Sequence, residues 1–147
     1  MKRSVLLLWA GRPFTPEDRY ETQPLAPEAS PFALVSVARL DNRDALCRLF
    51  GLDDARRATT PDGVLLLKAY ERWGDRCPEH LLGAFSFVVW DARHRRLFGA
   101  RDIAGSYPFF YVHRPGHLFA CATDVRGLHA LPEVPRALDE LSIAQHL

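Results

Sequence analysis

Three thiols, two imidazoles beside a turn, a run of four basic residues and a carboxylate at the head of a helical stretch are the groups in this sequence suited to chemistry. Cys47, Cys77 and Cys121 are odd in number, far apart and without CxxC spacing. They read as reduced, mostly buried thiols of a reducing compartment, not as a disulfide frame or a zinc site. His113 and His117 flank a turn without carboxylate or thiol company, so no metal is expected there. The run Arg93-His94-Arg95-Arg96 falls where a turn is expected and reads as a solvated hairpin tip, not a phosphate-binding patch. Thr60-Pro61-Asp62 reads as an N-cap, a proline at the first helical position and an acid near the positive end of the helix dipole. No glycine-rich phosphate loop occurs.

These groups need elements to position them. Val5 to Ala10 is a short apolar burst, read as a strand buried on both faces. Arg12 to Pro31 carries five prolines and scattered charge and reads as an irregular loop. Phe32 to Leu40 is a second inner strand. Asp41 and Asn42 offer an N-cap to a short helix with Ala45, Leu46, Leu49 and Phe50 on one face, stopped by Gly51. The stretch DDARRATT lacks periodicity and should be exposed. From Val64 to Trp73 the apolar residues form a broad buried helical face, which Gly74 closes. GAFSFVVWD and RRLFGARD read as two strands joined at Asp91 to Arg95, and YPFFYVH and LFACATD as a second hairpin, with Pro115 and Gly116 suited to a type II turn. Asp124 to Leu131 is expected as a short helix, PEVP as a linker, and LDELSIAQHL as the start of a helix cut off by the end of the chain. Strands with so little polar surface need covering on both sides, which favours stacked sheets with helices outside.

Three stretches in fixed order, ARLDNRDAL, LLKAYERWGDRCPEHLLGAFSFVVWDARHRRLFGARDIAGSYPFFY and PEVPRALDELSIAQHL, resemble the N-terminal glutamine amidotransferase domain of asparagine-synthetase-like enzymes. RLDN and the overall tone are closest to the branch of β-lactam synthetases and lasso-peptide cyclases. The resemblance covers residues 32 to 147 and fits residues 1 to 11 as the first strand. It implies an α+β, N-terminal-nucleophile hydrolase-like αββα sandwich of two antiparallel sheets with outer helices. Residues 1–136 would form the domain, and residues 137–147 would begin a linker helix toward a missing C-terminal synthetase domain.

The resemblance also sets a chemical test. Active members lose Met1 and use a cysteine at position 2 as nucleophile, with its own α-amine as base. Here that position holds Lys2, whose ammonium beside Arg3 is a poor nucleophile, and Cys47, on a helix in mid-domain, is no substitute. Matching Asn42 to the later asparagine of the family segment puts Val37 and Ala38 where relatives carry the Asn-Gly pair of the oxyanion site. Loss of one such donor lowers rates by about 10² to 10³. The family's Ser-Asp-x-Glu, whose aspartate holds the glutamine amine, is matched by Pro61-Asp62-Gly63-Val64, so Asp62 persists, although a helix-capping role would account for it alone. Arg101 and Asp102, followed by Gly105 and Pro108, are expected to satisfy buried backbone groups and hold a bend, with Gly105 at positive φ.

Charge says little about partners: 19 basic and 18 acidic residues nearly cancel, so neither nucleic acid nor a membrane surface is expected. The N-terminal apolar burst is too short for a signal peptide or for the roughly 20 residues of a membrane span, which points to the cytoplasm. The expectation is therefore a non-catalytic, glutaminase-like structural domain with no cofactor of its own. ATP and Mg would belong to the synthetase domain, the expected partner, whose Ser-Gly-Gly-x-Asp-Ser motif must lie beyond Leu147; a peptide substrate is a further candidate partner. The rival expectations are an active glutamine amidotransferase domain and a stand-alone ligand- or peptide-binding module.

Overall fold

A computed structural model describes residues 15–137. Lys2, the expected strand over residues 4–10 and the expected helix from Leu138 onward lie outside the described residues. The chain divides into two compact units, residues 1–107 and 108–147.

In the first unit, β1 (Phe32–Leu40), β2 (Gly83–Asp91) and β3 (Arg96–Arg101) form an antiparallel sheet in that order. The β1–β2 register pairs Leu34 with Val89, Ser36 with Phe87 and Ala38 with Phe85. With the two-residue period of a strand these side chains share one face, and α3 (Asp62–Trp73) packs against β1. Leu65, Leu66, Ala69 and Tyr70 of α3 join Leu34, Phe85, Phe87 and Val89 in a single core. Leu65 and Leu66 are fully buried, and each contributes about 1.5–3 kcal/mol on burial. That outweighs the roughly 1 kcal/mol disadvantage of Gly63 near the helix start. On β2 the run Phe85–Val89 is buried without interruption, so both sheet faces are covered along the central strand.

The second unit holds β4 (Phe110–Arg114) and β5 (Leu118–Ala122), an antiparallel pair, followed by α4 (Val125–His129). At the hairpin turn Gly116 has φ +74° and the His117 N–H donates to the Arg114 carbonyl, the geometry of a type II turn. Asp124 caps α4 by accepting from the Arg126 N–H at 2.8 Å. Two antiparallel sheets with helices make the chain an α+β protein.

Two local readings are corrected, in the proline-rich stretch and in the first helix, and two are filled out. The proline-rich stretch contains a 3₁₀ helix, Pro16–Tyr20, and its Leu25 bridges to Leu34 of β1. DDARRATT buries no residue, as expected, and holds a one-turn helix, α2 (Asp54–Arg57), in which the Asp53 carboxylate accepts from the Arg56 N–H. Gly74 closes α3 as expected, with φ +58°, and a second 3₁₀ helix spans Gly74–His80. In α1 (Arg43–Leu49) the buried residues are Leu46 and Cys47, while Leu49 is exposed. The helix is turned so that its Arg43 and Cys47 side face the interior.

The basic run is a solvated tip, all four residues exposed, and two of its side chains are paired there. Asp91 accepts from the Arg93 and His94 N–H groups and pairs with the His94 ring at 2.7 Å. Arg96 opens β3 and forks onto Asp75, with a further bond to the Tyr70 hydroxyl at 3.0 Å.

Candidate functional site

The outer edge of β1 gathers the polar groups of the first unit. Alternate residues of an antiparallel strand turn their peptide groups to the same side, and here Leu34, Ser36, Ala38 and Leu40 turn theirs away from β2. Leu34 exchanges two backbone hydrogen bonds with Leu25. Ser36 is met by a side chain instead: Gln23 Oε1 accepts from the Ser36 N–H at 2.7 Å, and Gln23 Nε2 donates to the Ser36 carbonyl at 2.9 Å. The primary amide reproduces one rung of a ladder. At the far end, the Leu40 N–H donates to Asp62 Oδ2 at 2.7 Å. Ala38 sits between these two staples and is buried. Val37, on the opposite sheet face, is half-buried and carries no donor.

Asp62 does not cap its helix. Pro61 is the N-cap residue, Asp62 is the first helical residue, and no side-chain capping bond forms. The carboxylate, 2% exposed, ties β1 to α1: Oδ1 accepts from Arg43 Nη1 at 2.6 Å while Oδ2 holds Leu40. Arg43 Nη2 donates to the Arg57 and Thr60 carbonyls, and Glu17 approaches its Nε at 3.9 Å. Burial pushes the Asp62 pKa up from 3.8, against the opposing pull of the Leu40 N–H and Arg43. Thr60, expected as the cap, turns its hydroxyl to the Arg56 carbonyl.

Asp102 is 6% exposed and accepts from the Phe85 N–H at 3.2 Å, the Ser106 N–H at 3.1 Å and the Ser106 hydroxyl at 3.0 Å. Its own N–H returns to the Phe85 carbonyl. Gly105 has φ +67°, the left-handed conformation that favours glycine, and a Cβ there would stand 3.0 Å from Arg101 Nη1, so the guanidinium would have to shift. Arg101 is exposed, and its guanidinium lies over Gly105. Asp102 lies across β2 from the Ala38 edge, so the two clusters are separate. Pro108 opens the second unit and is exposed.

None of the thiols is poised as a nucleophile. Cys47 and Cys77 are 1% and 0% exposed. Burial pushes the Cys77 pKa up to about 12, and raises those of Cys47 and Cys121 as well. A thiol held in its neutral form reacts slowly with electrophiles. In the folded protein, iodoacetamide is expected to label half-buried Cys121 first and to leave Cys47 and Cys77 intact, as mass spectrometry of a labelling time course would show. No group of side chains that could hold a metal ion forms among the described residues, His113 and His117 included, and no described helix is long and apolar enough to cross a membrane.

No motif or spacing in the sequence marks Glu21, Gln23, Ser36 or Arg43. Asp62 meets Arg43 and Leu40 at separations of 19 and 22 residues, and no local pattern encodes such contacts.

The chain belongs to the glutamine amidotransferase domain family, whose profile matches residues 14–130. Its relatives include glutamine-hydrolysing asparagine synthetase 3 of Bacillus subtilis, 35% identical over 86 residues, covering 58% of this chain and 14% of that protein. A putative glutamine-hydrolysing asparagine synthetase of Mycobacterium bovis is 34% identical over 98 residues, covering 61% and 15%. The glutamine-hydrolysing asparagine synthetase of Gallus gallus is 29% identical over 111 residues, covering 74% and 19%. The chain thus spans less than a fifth of the length of these relatives.

Proposed function

We propose that this chain is a glutaminase-like domain without glutaminase chemistry, acting as the structural partner of a synthetase domain in the cytoplasm. That partner would use ATP and Mg to activate a carboxylate and join it to an amine supplied by the substrate, as in lasso-peptide cyclases and β-lactam synthetases. No ammonia source is then needed. The observation that carries the reading is the condition of the thiols: all three in the sequence lie in surroundings that raise their pKa, the reverse of what a cysteine nucleophile needs. Two further features support it. Val37 supplies no side-chain donor for an oxyanion, and both Asp62 oxygens are already bonded within the fold.

A working amidotransferase is the second reading, favoured by the glutamine-hydrolysing names of the relatives and by the retention of Asp62. The full-length protein, incubated with glutamine and followed by glutamate release, separates them. No release above the uncatalysed background is expected. Release that survives simultaneous Cys47→Ala, Cys77→Ala and Cys121→Ala substitution would overturn the reading, since the catalytic machinery would then lie elsewhere; release abolished by one of those substitutions would overturn it equally.

A further inference from the structure

The segment from Thr15 to Leu25 runs along the outer edge of β1 as a strap, fastened by the Leu25–Leu34 bridge and by the Gln23 amide on Ser36. One residue pair further along, it delivers Glu21 to the N-terminal end of the 12-residue helix α3. There the carboxylate lies so close to Gly63 that a Cβ at position 63 would collide with Glu21 Oε1 and stand 3.0 Å from Ser36 Oγ and 3.2 Å from Leu25 Cδ1. We propose that Glu21 is a built-in ligand: a side chain of the strap that fills the space beside Asp62, Gly63 and the Ala38 edge and keeps free α-amino acids out. The inference rests on reading Asp62 as the remnant of a glutamine pocket, and it names what now occupies that pocket.

Three observations carry it. The Glu21 carboxylate takes the place at the start of α3 where the helix dipole and the first N–H groups favour an anion, as they would favour the carboxylate of a bound amino acid. Gly63 is the only residue type that leaves it room. Glu21 Oε1 is shut off from solvent without a hydrogen-bonding partner, while Gln23 and the Gly63 N–H hydrogen-bond to the carboxyl group. Burial raises the Glu21 pKa above 4.5, with Asp18 and Asp62 adding to the rise and Gln23 and the Gly63 N–H opposing it. Withdrawing the side chain therefore gives up its interactions with Gln23 and the Gly63 N–H and releases the unsatisfied Oε1 to water.

The test uses the full-length protein and L-glutamine as the probe. In Glu21→Ala, calorimetric titration is expected to show glutamine bound at least about tenfold more tightly than by the natural protein, and hydrogen exchange of the Gly63 amide to be about tenfold faster. Equal affinity in the two proteins, absence of binding in both, or unchanged exchange at Gly63 would each overturn the proposal. Should Glu21→Ala fail to fold, Gly63→Ala serves instead, because its methyl group must expel Glu21. Limited proteolysis within the strap is then expected to accelerate, and an unchanged rate would overturn the proposal. Failure of the functional reading is seen separately, as glutamate release by the natural protein.

Discussion

Replacing Asp62 with alanine is expected to destabilise the protein by about 3–5 kcal/mol, the range for removing one partner of a buried ion pair. The magnitude follows from what is stranded. Arg43, its side chain 17% exposed, keeps its charge and its bonds to the Arg57 and Thr60 carbonyls but loses its close counter-ion, retaining only Glu17 at 3.9 Å, and the Leu40 N–H at the buried end of β1 loses its acceptor. Asp62→Asn retains an acceptor for Leu40 and should lose less. Combining Asp62→Ala with Arg43→Met removes the stranded charge, so the double variant should be more stable than Asp62→Ala alone, a coupling a double-mutant cycle measures. Urea denaturation followed by circular dichroism reads all three. A loss under about 1 kcal/mol for Asp62→Ala would mean that the pair is hydrated and screened like a surface salt bridge, and the account of the site would fail with it.

The same pair shows where sequence reading stops. Phe32–Leu40 and Gly83–Asp91 are legible as strands to the residue, because an uninterrupted β-branched and aromatic run between turn signals has few other uses. Most of the α3 helix is legible for the same reason, since its buried stripe repeats over three turns. The one-turn α2 and the 3₁₀ helix Pro16–Tyr20 bury no residue, so no periodicity exists for a reader to find. Leu49 shows a subtler limit. In a seven-residue helix two faces are nearly equally apolar, and the pull of Asp62 on Arg43 decides which turns inward. Asp62 itself is visible in the sequence as a carboxylate at a helix start, and the local chemistry points to capping. Its actual bonds go to a strand and a helix that precede it, contacts made only once the sheet has formed. Asp62 therefore has a structural occupation independent of any ligand, so its presence is not by itself a sign of glutamine binding.

Asp102→Ala is the second large effect, expected at about 1–3 kcal/mol, because the substitution leaves the buried Phe85 N–H without its charged acceptor and a buried unsatisfied donor costs about that much, while the exposed Ser106 N–H turns to water. The damage should concentrate where β2 meets the bend after β3, since the Asp102 N–H and the Phe85 carbonyl are bonded in the same place. Hydrogen exchange of the Phe85 and Ser106 amides is therefore expected to accelerate more than exchange in α3. Acidity gives an independent reading. Burial raises the Asp102 pKa, but the Ser106 and Phe85 N–H groups, the Ser106 hydroxyl and the Ala104 N–H together hold it below 3.8. A carboxyl depressed on folding stabilises the fold fully above its unfolded pKa, and that stability is lost as pH falls through the folded value. Stability of the natural protein should thus contain a component that disappears only below pH 3.8, and Asp102→Asn should lack it. Asp62 and Glu21 run the other way. Their folded pKa values are raised, so each favours the fold more as pH falls from neutral toward its ordinary carboxyl value. Denaturation midpoints of the natural protein and of Asp102→Asn, followed from neutral pH into acid, should run in parallel down to that boundary and converge beneath it. Curves that stay parallel throughout would show that Asp102 is not the anchor of the bend.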